Sequence, residues 1–131
     1  MEAAPIWIEP GVVEKIHERQ LSLHGGQEGI RDRGMLESAL GRPRNLWAYS
    51  DPRPDAAQLA ASYAFGIAKN HPFVDGNKRT AFVACRLFLS RNGYTIQATQ
   101  EDKYQTFLAL AAGELSEEQL AAWLRERIET T

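Results

Sequence analysis

The chain has 131 residues, 44% of them hydrophobic, which supports one core of ordinary size and predicts a single domain over 1–131. Fifteen basic residues against 17 acidic ones give a net charge of −2, so nucleic-acid binding driven by overall charge is excluded and no direct nucleic-acid partner is expected. Cys85, the one cysteine, cannot close an internal disulfide and lies in an apolar run as a small core residue. Glu2 stands where a secretory leader needs basic residues, and Arg86 breaks the longest apolar stretch, Thr80 to Leu89, far short of the ~20 residues of a membrane span. The expectation is a cytoplasmic protein with no membrane partner.

Along the chain, Ile6-Trp7-Ile8 reads as a short extended segment or a docked arm. Pro10 opens a first helix, since proline is tolerated in the first turn. Val12, Val13, Ile16 and Leu23 mark its buried face, and His24-Gly25-Gly26 ends it. His17 and His24 read as a partly exposed helix residue and a helix-end residue. Asp32 suits the N-cap of a second, short helix with Met35, Leu36, Ala39 and Leu40 on its apolar side and Gly41 and Pro43 at its end. From Arg42 to Pro54 the helical phasing disappears. Leu46, Trp47 and Tyr49 there are the anchors of a loop or the face of a flap.

Asp55 caps a third helix reaching Asn70, with Leu59, Ala60, Tyr63, Ala64 and Ile67 as its buried stripe. Pro72 disfavours helical backbone in the residue before it, so this helix stops at His71. Thr80 to Arg91 is apolar on nearly every face, as a central helix would be, and Asn92-Gly93 closes it with a left-handed turn. Tyr94 to Ala98 is extended. Thr99 starts a helix carrying Tyr104, Phe107, Leu108 and Ala111, and Ser116 with Gln119 forms a capping box. The last helix turns Leu120, Trp123, Leu124 and Ile128 inward. The sum is an all-α chain of about six helices around a central buried helix.

Between the third and fourth helices lies His71-Pro72-Phe73-Val74-Asp75-Gly76-Asn77-Lys78-Arg79-Thr80. Gly76 allows a tight turn and close approach to a ligand, and Asn77 is placed to cap the next helix. A helix N-terminus carries partial positive charge and unpaired N–H donors, so it attracts anions. Lys78 and Arg79 fall in that first turn, where the helix dipole disfavours cations unless an anion offsets them. Asp75 has two readings: a partner for Lys78 or Arg79, or a hard oxygen ligand for Mg²⁺. His71 carries the one side chain of the stretch that takes up and releases a proton near neutral pH. Phe73 reads as an inward anchor.

This stretch resembles the signature of the Fic/Doc superfamily, His-x-Phe-x-Asp/Glu-Gly-Asn-Gly/Lys-Arg, and within it the death-on-curing (Doc) toxins. Gly25-Gly26, Leu46 to Ser50 and Leu87 to Gly93 resemble that subgroup too. The longer Fic enzymes, which transfer AMP to protein hydroxyls, have Gly where this chain has Lys78 and a second arginine where it has Phe82. The resemblance therefore implies a protein kinase that binds ATP in the reverse sense. It would pass the γ-phosphate to a threonine of elongation factor Tu and so halt translation. His71 would be the base and Asp75 would hold Mg²⁺. Gly76 and Asn77 would cradle phosphate with the following N–H groups, and Lys78 and Arg79 would bind phosphate and stabilise the charge of transfer.

By the same resemblance Leu46 to Ser50 corresponds to a flap that aligns the target backbone by strand addition. The chain has no Ser/Thr-x-x-x-Glu-Gly/Asn string of the kind that restrains Fic-type enzymes. Restraint would come from an antitoxin protein whose disordered C-terminal segment folds into a groove, forming a toxin–antitoxin pair. The competing readings are an AMP-transferase using the same residues, a non-catalytic module on the same fold, and a ribonuclease built on His71 and Lys78. The acidic net charge disfavours the last of these.

Overall fold

The computed structural model describes residues 3–131. Among them six helices and two short strands follow in order: α1 Pro10–His24, α2 Arg33–Tyr49, α3 Ala56–Asn70, α4 Asn77–Arg91, β1 Tyr94–Ile96, α5 Gln100–Ala111, α6 Glu117–Arg127 and β2 Ile128–Thr130. The fold is all-α, with one two-stranded ribbon as its only sheet among the described residues. No described helix is long and apolar enough to cross a membrane.

The helix starts follow local chemistry. Asp32, Asp55, Thr99 and Ser116 each accept a backbone N–H from three residues on, and Ser116 and Gln119 close the expected capping box. A central helix is present, but it is α3 rather than α4. α3 packs against α2, α4, α5 and α6, and its buried Ala57, Ala60, Ala61 and Ala64 let those neighbours come close. α4 lies beside it with Phe82, Val83 and Leu87 only half-buried and Arg86 exposed. Apolar residues on every face of α4 thus serve a groove as well as the core. Cys85 is fully buried, and that burial pushes its thiol up to about 12, so it is an inert core residue.

The N-terminal segment is a docked arm. Asn92 accepts the Ile6 N–H at 2.8 Å and returns its amide to the Ile6 carbonyl, while Trp7 stacks on Phe88 at 6.1 Å. The left-handed turn after α4 falls on Gly93 (φ +90°), not on Asn92 (φ −103°).

Two boundaries differ from the sequence reading. Ile128 leaves the last helix and enters β2, where it pairs with Ile96. The ladder, extended by the Gln97 N–H on the Arg127 carbonyl (2.7 Å) and the Thr131 N–H on the Gly93 carbonyl (2.9 Å), satisfies the C-terminal backbone better than another half-turn of helix. The second correction concerns α2, which continues through Gly41 and Pro43 to Tyr49.

An interior proline removes one helical hydrogen bond and clashes with the preceding turn, a penalty of roughly 3 kcal/mol. Contacts on both sides of it hold α2 together. Pro43 is itself buried, Leu46 and Trp47 pack on the core, Arg44 pairs with Glu9 at 2.7 Å, and Arg42 pairs with Glu117 of α6.

Asp55 both caps α3 and pairs in bidentate fashion with Arg125 of α6, at 2.6 and 3.0 Å. The Arg125 hydrogen bond, with help from the Gln58 N–H, holds the Asp55 carboxyl below its ordinary 3.8 despite partial burial. A depressed folded-state value means that this stabilisation is present above pH 3.8 and is lost as the pH falls through the folded value. Asp55→Ala should lower the melting temperature at pH 7 by about 3–5 °C, mainly through the lost cap. Thermal denaturation across pH 2–7 should show the difference from the parent shrinking at the acid end.

Candidate active site

His71 ends α3 and Gly76 precedes α4, so the five-residue loop Pro72–Gly76 is suspended between the two helices that form the middle of the molecule. Its shape is set from inside. Asn77, 4% exposed, is not the helix cap but the first residue of α4. Its side-chain oxygen accepts the Phe73 N–H at 3.0 Å and its amide donates to the Phe73 carbonyl at 2.9 Å. A carboxamide offers its acceptor and its donor on two separate atoms of one short side chain, which lets Asn77 hold both backbone groups of Phe73 at once. Phe73 is fully buried, as expected of an anchor.

His17 departs from its expected place on a partly exposed helix face. It is 4% exposed, its ring lies parallel to Phe73 with centroids 3.8 Å apart, and its Nε2 is 2.7 Å from the Asp75 carbonyl. A carbonyl only accepts, so Nε2 carries the proton. The one legible signal was spacing, because His17 falls four residues after Val13, and these are the two buried residues of α1.

A second strip of chain clamps the loop from outside. The Val74 N–H donates to the Gly29 carbonyl at 3.0 Å, the Arg31 and Asp32 N–H groups donate to the Pro72 carbonyl at 2.7 and 3.0 Å, and Ile30 and Phe73 form an antiparallel bridge. Gly26 in this strip has φ +127°, and a Cβ there would sit 2.9 Å from Asp75 Oδ2. Another residue would meet both strain and the carboxylate. The sequence shows Gly25-Gly26 as a helix end that carries the family resemblance and Asp32 as a cap, but not the pairing of this strip with the loop, because its pairing partner is some 43 residues away in the chain.

Leu46 to Ser50, by contrast, is the last turn of α2 with its C-cap Ser50. That helix starts beside Pro72, and 13 residues at 1.5 Å each place Leu46 roughly 20 Å along the axis from the loop.

The side chains expected to do chemistry converge. His71, Asp75, Gly76, Asn77, Lys78 and Arg79 line one cleft of about 290 Å³, with Ala68 and Ala111 as its apolar wall. Asp75 keeps an exposed carboxylate, with Oδ1 accepting the Gly76 N–H at 2.8 Å and Oδ2 facing the Gln27 N–H at 3.3 Å. It forms no ion pair with Lys78 or Arg79 among the described residues, so the structural reading of Asp75 as their partner does not hold. No cluster of three metal-ligating side chains exists among the described residues. A lone exposed carboxylate fits a cation that takes most of its ligands from phosphate and water, which is the habit of Mg²⁺.

α4, like α1, has no side-chain cap, but it alone among the described helices combines an uncapped start with two cations: its N-cap is Gly76 (φ +79°, ψ 15°) and its first turn holds Lys78 and Arg79, where α5 and α6 carry acidic residues. Its first N–H groups have no side-chain cap, the condition under which a helix start can accept an anion. Lys78 is half-buried with Nζ 5.3 Å from the Tyr104 ring centre, and Arg79 is exposed.

Lys78 and Arg79 also border an adjoining groove of about 350 Å³ between α1, α4 and α5. That groove accounts for apolar residues misplaced by periodicity: Leu23 (59% exposed) and Tyr104 (54% exposed) face it instead of the core. A wider cleft of about 850 Å³ on the other side of the loop is lined by Glu14, Glu18 and Glu28. Its charge opposes a phosphate, so size does not decide the site.

The model of the Fic/DOC family matches residues 7–89, which is more than half of the chain. The chain is 35% identical over 118 residues to "Protein kinase doc" of Escherichia phage P1, covering 90% of this chain and 92% of that protein. It is 40% identical over 74 residues to "Toxin Doc" of Mycolicibacterium smegmatis, covering 56% of this chain and 57% of that one.

Proposed function

The chain belongs to the Fic/DOC family and resembles its Doc toxins, and from this premise we propose that it is a toxin kinase transferring the γ-phosphate of ATP to a protein hydroxyl. The observation that carries the reading is the uncapped, cation-bearing start of α4 opening into the cleft that His71 and Asp75 also line.

In this reading His71 takes the proton from the acceptor hydroxyl as its oxygen bonds to the γ-phosphorus, and the bond to the β–γ bridging oxygen breaks to release ADP. Lys78, Arg79 and the first N–H groups of α4 hold the phosphate oxygens where negative charge accumulates. Asn77 supports the cradle through its backbone and keeps its side chain inward. When bound, Mg²⁺ at Asp75 supplies charge neutralisation across the phosphates. Lys78 in place of a glycine, and Phe82 in place of a second arginine, support phosphoryl over AMP transfer.

The target proposed from the resemblance is a threonine of elongation factor Tu, with halted translation as the consequence. The strip Gly25–Ile30, which pairs with Phe73 and Val74 and brings the Gln27 N–H to Asp75, is better placed than Leu46–Ser50 to receive target backbone. For an antitoxin, the groove between α1, α4 and α5 offers exposed Leu23 and Tyr104 with Arg86 and Lys103, which suits an acidic amphipathic segment. Such a segment would lie against Lys78 and Arg79 and compete with ATP.

Labelled ATP tests the reaction on purified elongation factor Tu. Label from the γ position should appear on the target. Label from the α position would replace the kinase with an AMP-transferase, and no label from either would remove both.

A further inference from the structure

His71 is the only non-glycine residue with positive φ among the described residues (φ 51°, ψ 54°). Left-handed backbone is unfavourable for a residue with a Cβ, and it persists only where its surroundings enforce it. The Pro72 that follows disfavours right-handed helix but does not by itself select the left-handed state.

Arg31 grips the backbone at this point. Its Nη2 donates to the Asn70 carbonyl at 2.8 Å, its Nε to the His71 carbonyl at 2.7 Å, and its own N–H to the Pro72 carbonyl at 2.7 Å. Three successive carbonyls thus accept from one residue. The first two lie at the C-terminal end of α3, where unpaired carbonyls and the helix dipole favour a cation. Asn70 is held independently, its side-chain amide donating to the Met35 carbonyl at 2.9 Å.

We infer that Arg31 is a positioning residue which locks the backbone of His71 in its left-handed conformation and so aims the imidazole into the cleft. The inference rests on the reading of His71 as the base, and it goes beyond the signature residues, since Arg31 lies 40 positions away in the chain. Arg31 is exposed and is not one of the buried core residues, so truncating its side chain should leave the packing of the helices intact. The Arg31 N–H bond to Pro72 survives any side-chain change, and what is lost is the grip on two carbonyls. A base released to alternative backbone states spends less time in reach of the acceptor proton, which lowers turnover without weakening ATP binding.

The test compares Arg31→Met and Arg31→Lys with the parent, with His71→Ala as the separate control on the base reading. Arg31→Met should lower kcat about tenfold with KM for ATP within about twofold and the melting temperature nearly unchanged. Arg31→Lys, which reaches one carbonyl at a time, should recover part of the loss. The ¹³Cα and ¹³Cβ shifts of His71 should leave left-handed values in Arg31→Met and stay closer to them in Arg31→Lys. An unchanged kcat, a kcat loss with His71 shifts unmoved, or a loss shared with KM and thermal stability would overturn the inference. Transfer that survives in His71→Ala would instead remove the base reading, with the chemical shifts still deciding whether Arg31 sets the backbone.

Discussion

His71→Ala is expected to reduce γ-phosphate transfer by about 10²–10⁴-fold in kcat, the range removed with a positioned general base. Almost all of the loss should fall on turnover. His71 lines the cleft at the end of α3, whereas the groups proposed to hold phosphate are in the first turn of α4. ATP binding should persist, and its measurement by calorimetry alongside single-turnover transfer separates the two effects. Relief of a left-handed β-carbon is not gained in alanine, so the melting temperature should stay close to that of the parent. Undiminished transfer in this variant would place the base elsewhere.

Asp75→Asn is expected to abolish Mg²⁺-dependent transfer, by at least about 100-fold at millimolar Mg²⁺. The substitution is a narrow one. Asn keeps an oxygen for the Gly76 N–H, which Oδ1 now accepts at 2.8 Å, and the loop is held separately by Asn77 and His17. The change removes the charge and turns the second carboxylate oxygen into an amide that ligates no cation. Titrating Mg²⁺ against initial rate, with melting temperature as the control for folding, distinguishes a lost ligand from a lost fold. Full activity at ordinary Mg²⁺ would withdraw the metal role from Asp75.

Much of the fold was legible because it is written in local chemistry. Asp32, Asp55, Thr99 and Ser116 announce helix starts through side chains that reach only three residues ahead. The stripe of α3 repeats at helical spacing, and it is the buried stripe. The failures share a different cause. Pro43 reads as a terminator, and what carries α2 past it is the packing of Pro43, Leu46 and Trp47 on the core together with ion pairs to Glu9 and Glu117, far off in the chain. Ile128 continues a helical pattern until β1 offers its backbone a ladder. Leu23 and Tyr104 are in phase with buried residues yet line a groove, since periodicity assigns a face without saying what covers it.

The candidate site divides in the same way. The sequence alone determined its chemistry: an imidazole, a carboxylate, a glycine turn and two cations within nine positions, with a resemblance that named the family. Contiguity made this possible, because a helix–loop–helix junction keeps neighbours in sequence near one another in space. Only the tertiary structure decided what holds the stretch in shape. Asn77 turned from cap to internal brace, His17 from a partly exposed helix residue to a donor beneath Asp75, and Arg31 from an unremarked charge to a clamp on three carbonyls. Each of the last two acts across at least 39 positions of chain. No local pattern records such a contact, since its geometry exists only once α1, the 25–32 strip and the α3–α4 junction have packed together.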